Sequence, residues 1–254
     1  MTGDEVRAFS HYLIGTAGWS IPKAAQDAFP QDSSHLARYA AVLTAAEINS
    51  SFHRPHQRSV YEKWAASVPP GFRFSVKLPK EISHKRKLVD YDEPLAAFIE
   101  QIGGLGEKLG VALLQLPPSL AFAPDAAFRF LTDLRGRTGP SVGIACEPRH
   151  ASWFTAEANA CLTDCRIARV VADPVIVPPG LEPGGWTGLV YRRLHGSPRM
   201  YYSAYEPARL QALAQAMTDD QPAQSQSWCI FDNTASGAAT IDALALQTVL
   251  ATTI

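Results

Sequence analysis

GVALLQLP at residues 110–117 and SVGIACEPR at residues 141–149 flank a stretch with helical spacing. Within that stretch Phe128, Leu131 and Leu134 recur on one face of a helix. The two flanking runs are short and apolar, which is typical of strands that are buried on both faces. A strand, a helix and a strand in this order predict a βαβ unit with parallel strands.

The same alternation continues in both directions along the chain. Eight apolar or alternating runs, separated in most cases by amphipathic helical stretches, predict strands near 13–18, 45–51, 73–79, 110–117, 141–149, 168–173, 188–195 and 227–233. Eight units of roughly thirty residues each are typical of a (β/α)8 TIM-type barrel. The sequence therefore predicts an α/β fold in which residues 1–254 form a single barrel domain of parallel strands.

An open, doubly wound sheet is the alternative architecture. Such a sheet usually carries a glycine fingerprint after its first strand. Here the first strand runs into GTAGWS, which lacks the third glycine and has the bulky Trp19 in its place. A P-loop and a G-x-S-x-G elbow are also missing from the sequence, so we expect no cofactor.

One connection departs from the alternating pattern. Residues 174–187, PVIVPPGLEPGGWT, link the sixth and seventh strands with prolines and glycines instead of a clear helical pattern. We therefore expect a loop in place of a helix, either as a surface crossing or as a lid over the barrel mouth.

Composition and charge limit the classes of partner. The formal net charge of −1 and the 46% of hydrophobic residues favour a globular domain and give no general reason to expect nucleic-acid or membrane binding. Four cysteines without C-x-x-C spacing indicate free thiols in a reducing compartment: Cys146, Cys161, Cys165 and Cys229. Without a signal-peptide pattern or a long apolar segment in the sequence, we expect a cytoplasmic protein with no membrane partner.

Polar side chains end seven consecutive predicted strands. These residues are Glu47, Asn49, Lys77, Gln115, Glu147, Arg149, Asp173, Arg193, His195, Asp232 and Asn233, and of the last two only one can face inward. In a barrel the carboxyl ends of the strands meet around one opening, where active sites lie. We therefore expect a polar, mixed-charge pocket there, although a structural network of ion pairs is the alternative explanation.

The residue types in this set suggest roles. Glu147 is the predicted general acid or base, and His195 and Glu47 are expected to assist proton transfer. Arg149, Arg193 and Lys77 are suited to hold an anion. Lys77 is also a catalytic candidate, because a lysine forms Schiff bases where its pKa is depressed in a dry setting, but nothing in the sequence shows such a setting.

The remaining substrate-binding candidates are polar or aromatic and lie in or beside the same loops. They are Asn49, Gln115, Asp173, His84, Asp232, Asn233 and Tyr201. Small residues after the last strand, Ser236 and Gly237, add a second region where a phosphate can approach helix amides. Metal-ligand spacings such as H-x-H are missing from the sequence and three cations compete for the carboxylates, so no metal is predicted.

Seven motifs occur in a distinctive order: GTAGWS, EINSSF, WAASVPPGFRFSVKLPKEISH, LLQLPPSL, CEPRHASWF, YRRLHG and YYSAYE. Together they resemble the YecE-like domain-of-unknown-function family, number 72 in its series, over about residues 13–250. The resemblance implies a (β/α)8 barrel and no established activity.

Matching positions are Glu47, Asn49, Lys77, His84, Gln115, Glu147, Arg149, Asp173, Arg193 and His195. His53 replaces the tyrosine usual in the family, and Thr234 departs from its usual Asn–Asn–Asp run.

These observations predict an enzyme that acts on a small anionic or polyhydroxylated molecule, such as a sugar phosphate or a sugar acid. Its class is an isomerase, a lyase or a hydrolase. The alternative is a non-catalytic module that binds a nucleotide or single-stranded nucleic acid, motivated by the basic loop Lys80–Lys87 and nearby aromatic residues. A degenerate barrel that only binds a protein partner is a third interpretation.

Overall fold

The structure is a computed structural model, and it describes residues 12–31, 33–175, 177, 180, 182–220 and 226–253. The strands are β1 (Tyr12–Ala17), β2 (Ala45–Ile48), β3 (Arg73–Lys77), β4 (Leu109–Gln115), β5 (Gly143–Glu147), β6 (Ala168–Arg169), β7 (Val171–Asp173), β8 (Gly184–Gly185), β9 (Leu189–Leu194) and β10 (Gln226–Phe231). The α-helices are α1 (His35–Ala40), α2 (Ser50–His53), α3 (Arg58–Ala66), α4 (Asp92–Ile102), α5 (Pro124–Thr138), α6 (Ala156–Asp164), α7 (Pro207–Asp219) and α8 (Ala238–Thr253).

Helix starts follow the capping signals of the sequence. The Ser34 hydroxyl accepts a hydrogen bond from the Ala37 amide at 3.3 Å, and the Thr155 hydroxyl caps α6 in the same way. Pro124 and Pro207 occupy the first turns of α5 and α7, where a missing N–H costs nothing. These signals fix where four of the helices begin.

All ten strands belong to one curled sheet in the order β7-β9-β10-β1-β2-β3-β4-β5-β6-β8. Every pair of neighbours is parallel except β6 and β8. Only Val170 separates β6 from β7, so the two strands form one continuous segment, 168–173. In this segment β6 pairs with β5, and β7 pairs with β9. The fold is thus an α/β fold with mostly parallel strands, and each of the eight predicted strands overlaps an observed one.

Two apolar layers lie on the two faces of the sheet. The inner layer consists of Leu13, Ala45, Val111, Leu113, Ala145, Ala168, Val170, Leu189, Tyr191, Trp228 and Ile230. The outer layer lies between the sheet and the helices, with Phe74, Leu114 and Phe231 among its members. Because strand side chains alternate between faces, inward positions recur at every second residue. This parity decides which strand-end residues point into the interior.

The connection at 174–187 is non-helical in every residue of it that the structure describes. Its strand β8 pairs antiparallel with Ala168 and Arg169, at the start of the preceding strand segment. This part of the loop therefore runs back along the sheet toward the amino ends of the strands. Its described residues do not line the cavities at the carboxyl ends.

Candidate functional site

A buried cluster of charges occupies the carboxyl end of the strands. Its members come from β2, β3, β5, β9 and the residues that follow β9 and β10: Glu47, Lys77, Glu147, Arg193, His195 and Asp232. Each is at most 8% exposed. Strand parity explains the arrangement, because the side chains two positions earlier belong to the inner layer in four of these cases, for example Tyr191 before Arg193. Residues far apart in sequence thus meet around one opening.

Arg193 is the centre of this cluster. Its Nε and Nη2 donate to the two oxygens of Glu47 at 3.0 and 2.7 Å, which is a bidentate pair. Nη1 donates to Glu147 Oε2 at 2.5 Å, and Nη2 also reaches Asp232 Oδ2 at 2.9 Å. One guanidinium therefore contacts three carboxylates from three different strands.

His195 bridges two of those carboxylates. Its Nδ1 lies 3.1 Å from Asp232 Oδ2, and its Nε2 lies 3.1 Å from Glu147 Oε1. Burial by itself lowers the pKa of His195, but the Glu147 carboxylate and the two hydrogen bonds outweigh burial and raise the pKa above its usual value. An imidazolium that donates from both nitrogens fits this position.

Glu147 is fully enclosed by cations. Arg149 donates to its Oε1 from Nη2 at 2.7 Å, in addition to the contacts with Arg193 and His195. Burial favours the protonated acid, but Arg193, His195 and Arg149 together hold the pKa of Glu147 well below the usual range. The carboxylate is therefore ionised at neutral pH and has no proton to donate.

Lys77 differs from the other cations in the cluster. Its Nζ lies 4.3 Å from the centroid of the Phe52 ring, and it has no hydrogen-bond acceptor among the residues that the structure describes. Burial lowers the pKa of Lys77 and Arg193 lowers it further, and these effects outweigh the attraction of Glu47, Glu147 and Asp232. The ammonium thus has no acceptor among the described residues and faces a cavity.

The cluster, counted together with Arg149, carries one more positive charge than negative charges when Lys77 is protonated. Three carboxylates are matched by two guanidiniums and the His195 imidazolium, so a protonated Lys77 carries an unmatched positive charge. Buried charges without a partner are costly. A site with this balance is complementary to an anion.

Two adjoining cavities open next to Lys77 and Asp232. The first has a volume of about 490 Å³ and is lined by Asn49, Ser50, Phe52, His53, Lys77, His84, Gln115, Tyr201 and Asp232. The second has a volume of about 430 Å³ and shares Asn49, Ser50 and Asp232 with the first. Amides, a hydroxyl, an imidazole and an ammonium converge on the first cavity, which suits a small polar ligand.

Most of the substrate-binding candidates predicted from the sequence lie at this cavity. Asn49 Nδ2 lies 3.5 Å from Asp232 Oδ1, and the Tyr201 ring packs at 5.8 Å from the His195 ring. Gln115 and His84 line the cavity wall, and Arg149 lies behind it on Glu147.

Two predicted residues lie elsewhere. Asp173 was expected in the pocket, but Ala172 faces the interior and Asp173 therefore faces outward, where its Oδ2 accepts from Arg209 Nη2 at 2.7 Å. Asn233 also faces outward, because Asp232 takes the inward position. Its Nδ2 donates to Asp242 Oδ2 at 2.7 Å on α8.

The phosphate region expected after the last strand is internally satisfied. The Ser236 hydroxyl donates to the Tyr202 carbonyl, and the amides of Ala235 and Gly237 donate to carbonyls of Tyr201 and Thr234. These donors are therefore engaged by the protein itself.

The candidates assigned from the sequence do not include several residues of the site, among them Tyr191, Ser75 and Phe52. The Tyr191 hydroxyl donates to Glu47 Oε2 at 2.9 Å and lies 2.6 Å from Ser75 Oγ, which fixes the Glu47 carboxylate. Strand alternation contains the signal for both, because each lies two positions before a predicted site residue. Phe52, under the Lys77 ammonium, follows β2 on the short helix α2, and strand alternation does not reach it.

A larger groove of about 750 Å³ lies between α5 and α6, lined by acidic and aromatic residues such as Asp125, Phe128 and Glu157. It is open and holds no buried cluster of charges, so the cavity beside Lys77 is the better candidate. Among the described residues, no three His, Cys, Asp or Glu side chains are grouped to hold a metal ion. No helix in the described part of the chain is long and apolar enough to cross a membrane.

The fold and the cluster define an α/β protein with a mixed-charge cavity at the carboxyl ends of mostly parallel strands. The model of the family described as a protein of unknown function, DUF72, matches residues 13–254, and the chain belongs to this family. The resemblance to the YecE-like family is thereby confirmed. A comparison with curated proteins gave no match.

Solved structures similar to this chain include two DUF72 family proteins. One is a DUF72 family protein from Thermotoga maritima, with a TM-score of 0.76, 25% identity and coverage of 94% of this chain and 98% of that chain. The other is a DUF72 family protein from Enterococcus faecalis V583, with a TM-score of 0.79, 22% identity and coverage of 94% and 95%. The similarity concerns the fold.

Proposed function

We propose that the protein is an enzyme that binds a small anionic or polyhydroxylated molecule, such as a sugar phosphate or a sugar acid, in the cavity beside Lys77. The observation that carries this proposal is the unmatched ammonium of Lys77, which faces a polar cavity of about 490 Å³. An anion in that cavity supplies the missing counter-charge. The amides of Asn49 and Gln115 supply hydrogen bonds to hydroxyl groups.

The proposed chemistry is acid/base catalysis of an isomerase, lyase or hydrolase. Lys77 is the proposed proton-exchanging group, because its pKa is lowered by burial and by Arg193 and its side chain lines the cavity. Asp232 lines the same cavity, with its Oδ2 held by Arg193 and His195. Glu147 and Glu47, the acid/base candidates of the sequence, act here as positioning residues that hold His195 and Arg193.

The geometry does not favour the nucleic-acid alternative. In the basic loop, Lys85 Nζ lies 2.9 Å from Glu81 Oε2, and Arg86 Nε lies 3.1 Å from Glu81 Oε1. One carboxylate thus neutralises part of the charge that a phosphate backbone would need.

We further propose that the sheet closes into a (β/α)8 barrel and that the chain is a single domain. The pairing of the 168–173 segment with both β5 and β9 supports closure. The four free thiols support a cytoplasmic location.

The binding proposal is tested by thermal unfolding in the presence of matched pairs, glucose 6-phosphate with glucose and gluconate with glucitol. At about ten times its Kd a ligand adds about 1.4 kcal/mol of stability. That energy raises Tm by about 3–5 °C for a chain of this size. We expect the shift with an anionic member of these pairs and a smaller one with its neutral partner.

Two variants make the test specific. Lys77→Met is expected to lose the shift, and Lys85→Met, which changes an exposed lysine paired with Glu81, is expected to keep it. A binding proposal centred on Lys77 is wrong if no anion raises Tm, or if Lys77→Met responds as the unmodified protein does.

A further inference from the structure

Lys77 combines three features that bear on its chemistry. Its side chain is 8% exposed, its Nζ has no hydrogen-bond acceptor among the described residues, and it lines a cavity large enough for a small molecule. The contrast within the chain is Lys85, whose side chain is 63% exposed and pairs with Glu81. A cation that served only the fold would pair with one of the three nearby carboxylates, but these are already bound to Arg193, Arg149 and His195.

We infer that Lys77 is a nucleophile that forms a Schiff base with the carbonyl carbon of a small aldehyde, ketone or keto acid bound in the cavity. The inference rests on the proposed function, because it assigns a carbonyl group to the ligand of the same site. It adds a covalent step that anion binding alone does not require.

The surroundings of Lys77 favour the neutral amine, which is the nucleophilic form. Burial lowers the pKa of Lys77, and Arg193 acts in the same direction. The carboxylates of Glu47, Glu147 and Asp232 oppose this, yet each of them is occupied by other cations. The imidazole of His84 faces Lys77 from the turn Glu81–Lys85, and burial followed by the charge of Lys77 lowers its pKa.

His84 completes the proton balance of the step. Its ring contacts Phe52 at 4.9 Å, and the Lys77 ammonium lies on the same phenyl ring. Its Nδ1 lies 2.9 Å from Ser83 Oγ. Because Nδ1 is engaged there, Nε2 is the nitrogen that accepts the proton from Lys77. His84 takes one proton from the ammonium, and the freed nitrogen lone pair forms the C–N bond while the carbonyl oxygen becomes a hydroxyl with the second nitrogen proton. The imidazolium then protonates that hydroxyl, the C–O bond breaks, and water leaves.

The charge of the site is the same before and after this step. An ammonium and a carbonyl compound become a protonated imine and water, with no oxidant, reductant or net proton consumed. The iminium nitrogen keeps the positive charge that complements an anionic substrate. Asn49, Gln115 and Tyr201 supply hydrogen-bonding groups for the rest of the molecule.

The test is reductive trapping of the full chain with pyruvate and, separately, dihydroxyacetone phosphate in the presence of sodium cyanoborohydride, followed by peptide mass mapping. We expect the secondary-amine adduct at Lys77 to form at least about tenfold faster than at Lys85 in the same sample. Lys77→Arg keeps a cation but forms no such adduct, and its folding is checked by circular dichroism. His84→Asn is expected to slow labelling of Lys77, and an unchanged rate removes the proton-transfer role from His84.

The outcomes separate this inference from the proposed function. Labelling of Lys77 no faster than Lys85 with both probes overturns the Schiff base. If anionic sugars still raise Tm in a Lys77-dependent way in that case, the binding site stands without covalent chemistry. If neither labelling nor a Tm shift depends on Lys77, both proposals fail.

Discussion

Arg193 and Glu47 form a bidentate ion pair inside the curled sheet, with Nε–Oε2 and Nη2–Oε1 distances of 3.0 and 2.7 Å. Neither side chain is more than 1% exposed. The desolvation of both charges is costly, and the pair persists because both oxygens of Glu47 and all three guanidinium nitrogens of Arg193 have hydrogen-bond partners, including the Tyr191 hydroxyl on Glu47. The two β-strands that carry the pair, β2 and β9, are thereby tied across the interior.

Removal of the central guanidinium leaves three carboxylates without their shared counter-charge. We therefore expect Arg193→Met to lower the free energy of unfolding by about 3–5 kcal/mol. Urea unfolding followed by circular dichroism measures this loss. Arg209→Met is the matched control, because Arg209 pairs with Asp173 but is 53% exposed, and its loss costs about 0–1 kcal/mol. Similar losses in the two variants would contradict the assigned role of Arg193.

The pH dependence of stability reports on His195. Its pKa is raised in the folded protein, so the folded state binds this proton more tightly than the unfolded chain. The resulting stabilisation is fully present below pH 6.5, the ordinary histidine value, and is lost as pH rises through the folded pKa.

We therefore expect the difference in unfolding free energy between the unmodified protein and His195→Gln to be largest at pH 5–6.5 and to shrink toward pH 9. Urea unfolding at a series of pH values measures this difference. His53→Gln, which changes an exposed histidine, is the control and is expected to track the unmodified protein at every pH. A His195→Gln difference that stays constant or grows with pH would show that His195 is not protonated between its two carboxylates.

Sequence patterns were sufficient to locate the strands and to predict the end of the sheet at which the polar groups lie. Apolar runs located the strands, but β2 ends at Ile48 because Ser50–His53 forms a helical turn within the predicted run 45–51. The two-residue strand β8 carries no periodic signal, since it consists of Gly184 and Gly185. Asp173 was misplaced because the parity of its own strand was not applied.

Chemical roles could not be predicted from the sequence in the same way. The lowered pKa of Lys77 depends on burial and on Arg193, which outweigh the opposing carboxylates of positions 47, 147 and 232, and these distances exist only in the folded chain. Glu147 looked like an acid or base because a carboxylate at a strand end often is one. Its three cationic partners, which hold it ionised, include Arg193 from a strand 46 positions later.

Asp232 lines the cavity and carries a negative charge toward any anionic ligand. We expect Asp232→Asn to increase the affinity for gluconate or glucose 6-phosphate by about tenfold, because a like charge within ~4–6 Å is removed. Isothermal titration calorimetry measures the change. Asp125→Asn, on the distant α5–α6 groove, is expected to leave the affinity unchanged. Weaker binding in Asp232→Asn would instead indicate that the carboxylate accepts hydrogen bonds that the ligand needs.

Lys77 is expected to lower stability in the absence of a ligand. Because burial lowers its pKa, the folded state binds the proton of Lys77 less tightly than the unfolded chain does, and at neutral pH this protonation opposes folding. Lys77→Met keeps most of the side-chain volume and removes the charge. We therefore expect the free energy of unfolding to rise by about 1 kcal/mol while anion binding is lost, as is common when a functional residue is replaced.

Urea unfolding at pH 7 measures the gain, with Lys85→Met as the exposed control, which is expected to change stability by less than about 0.5 kcal/mol. A clear loss of stability in Lys77→Met would show that the ammonium is a structural partner of the carboxylates and would remove the physical basis of the anion site.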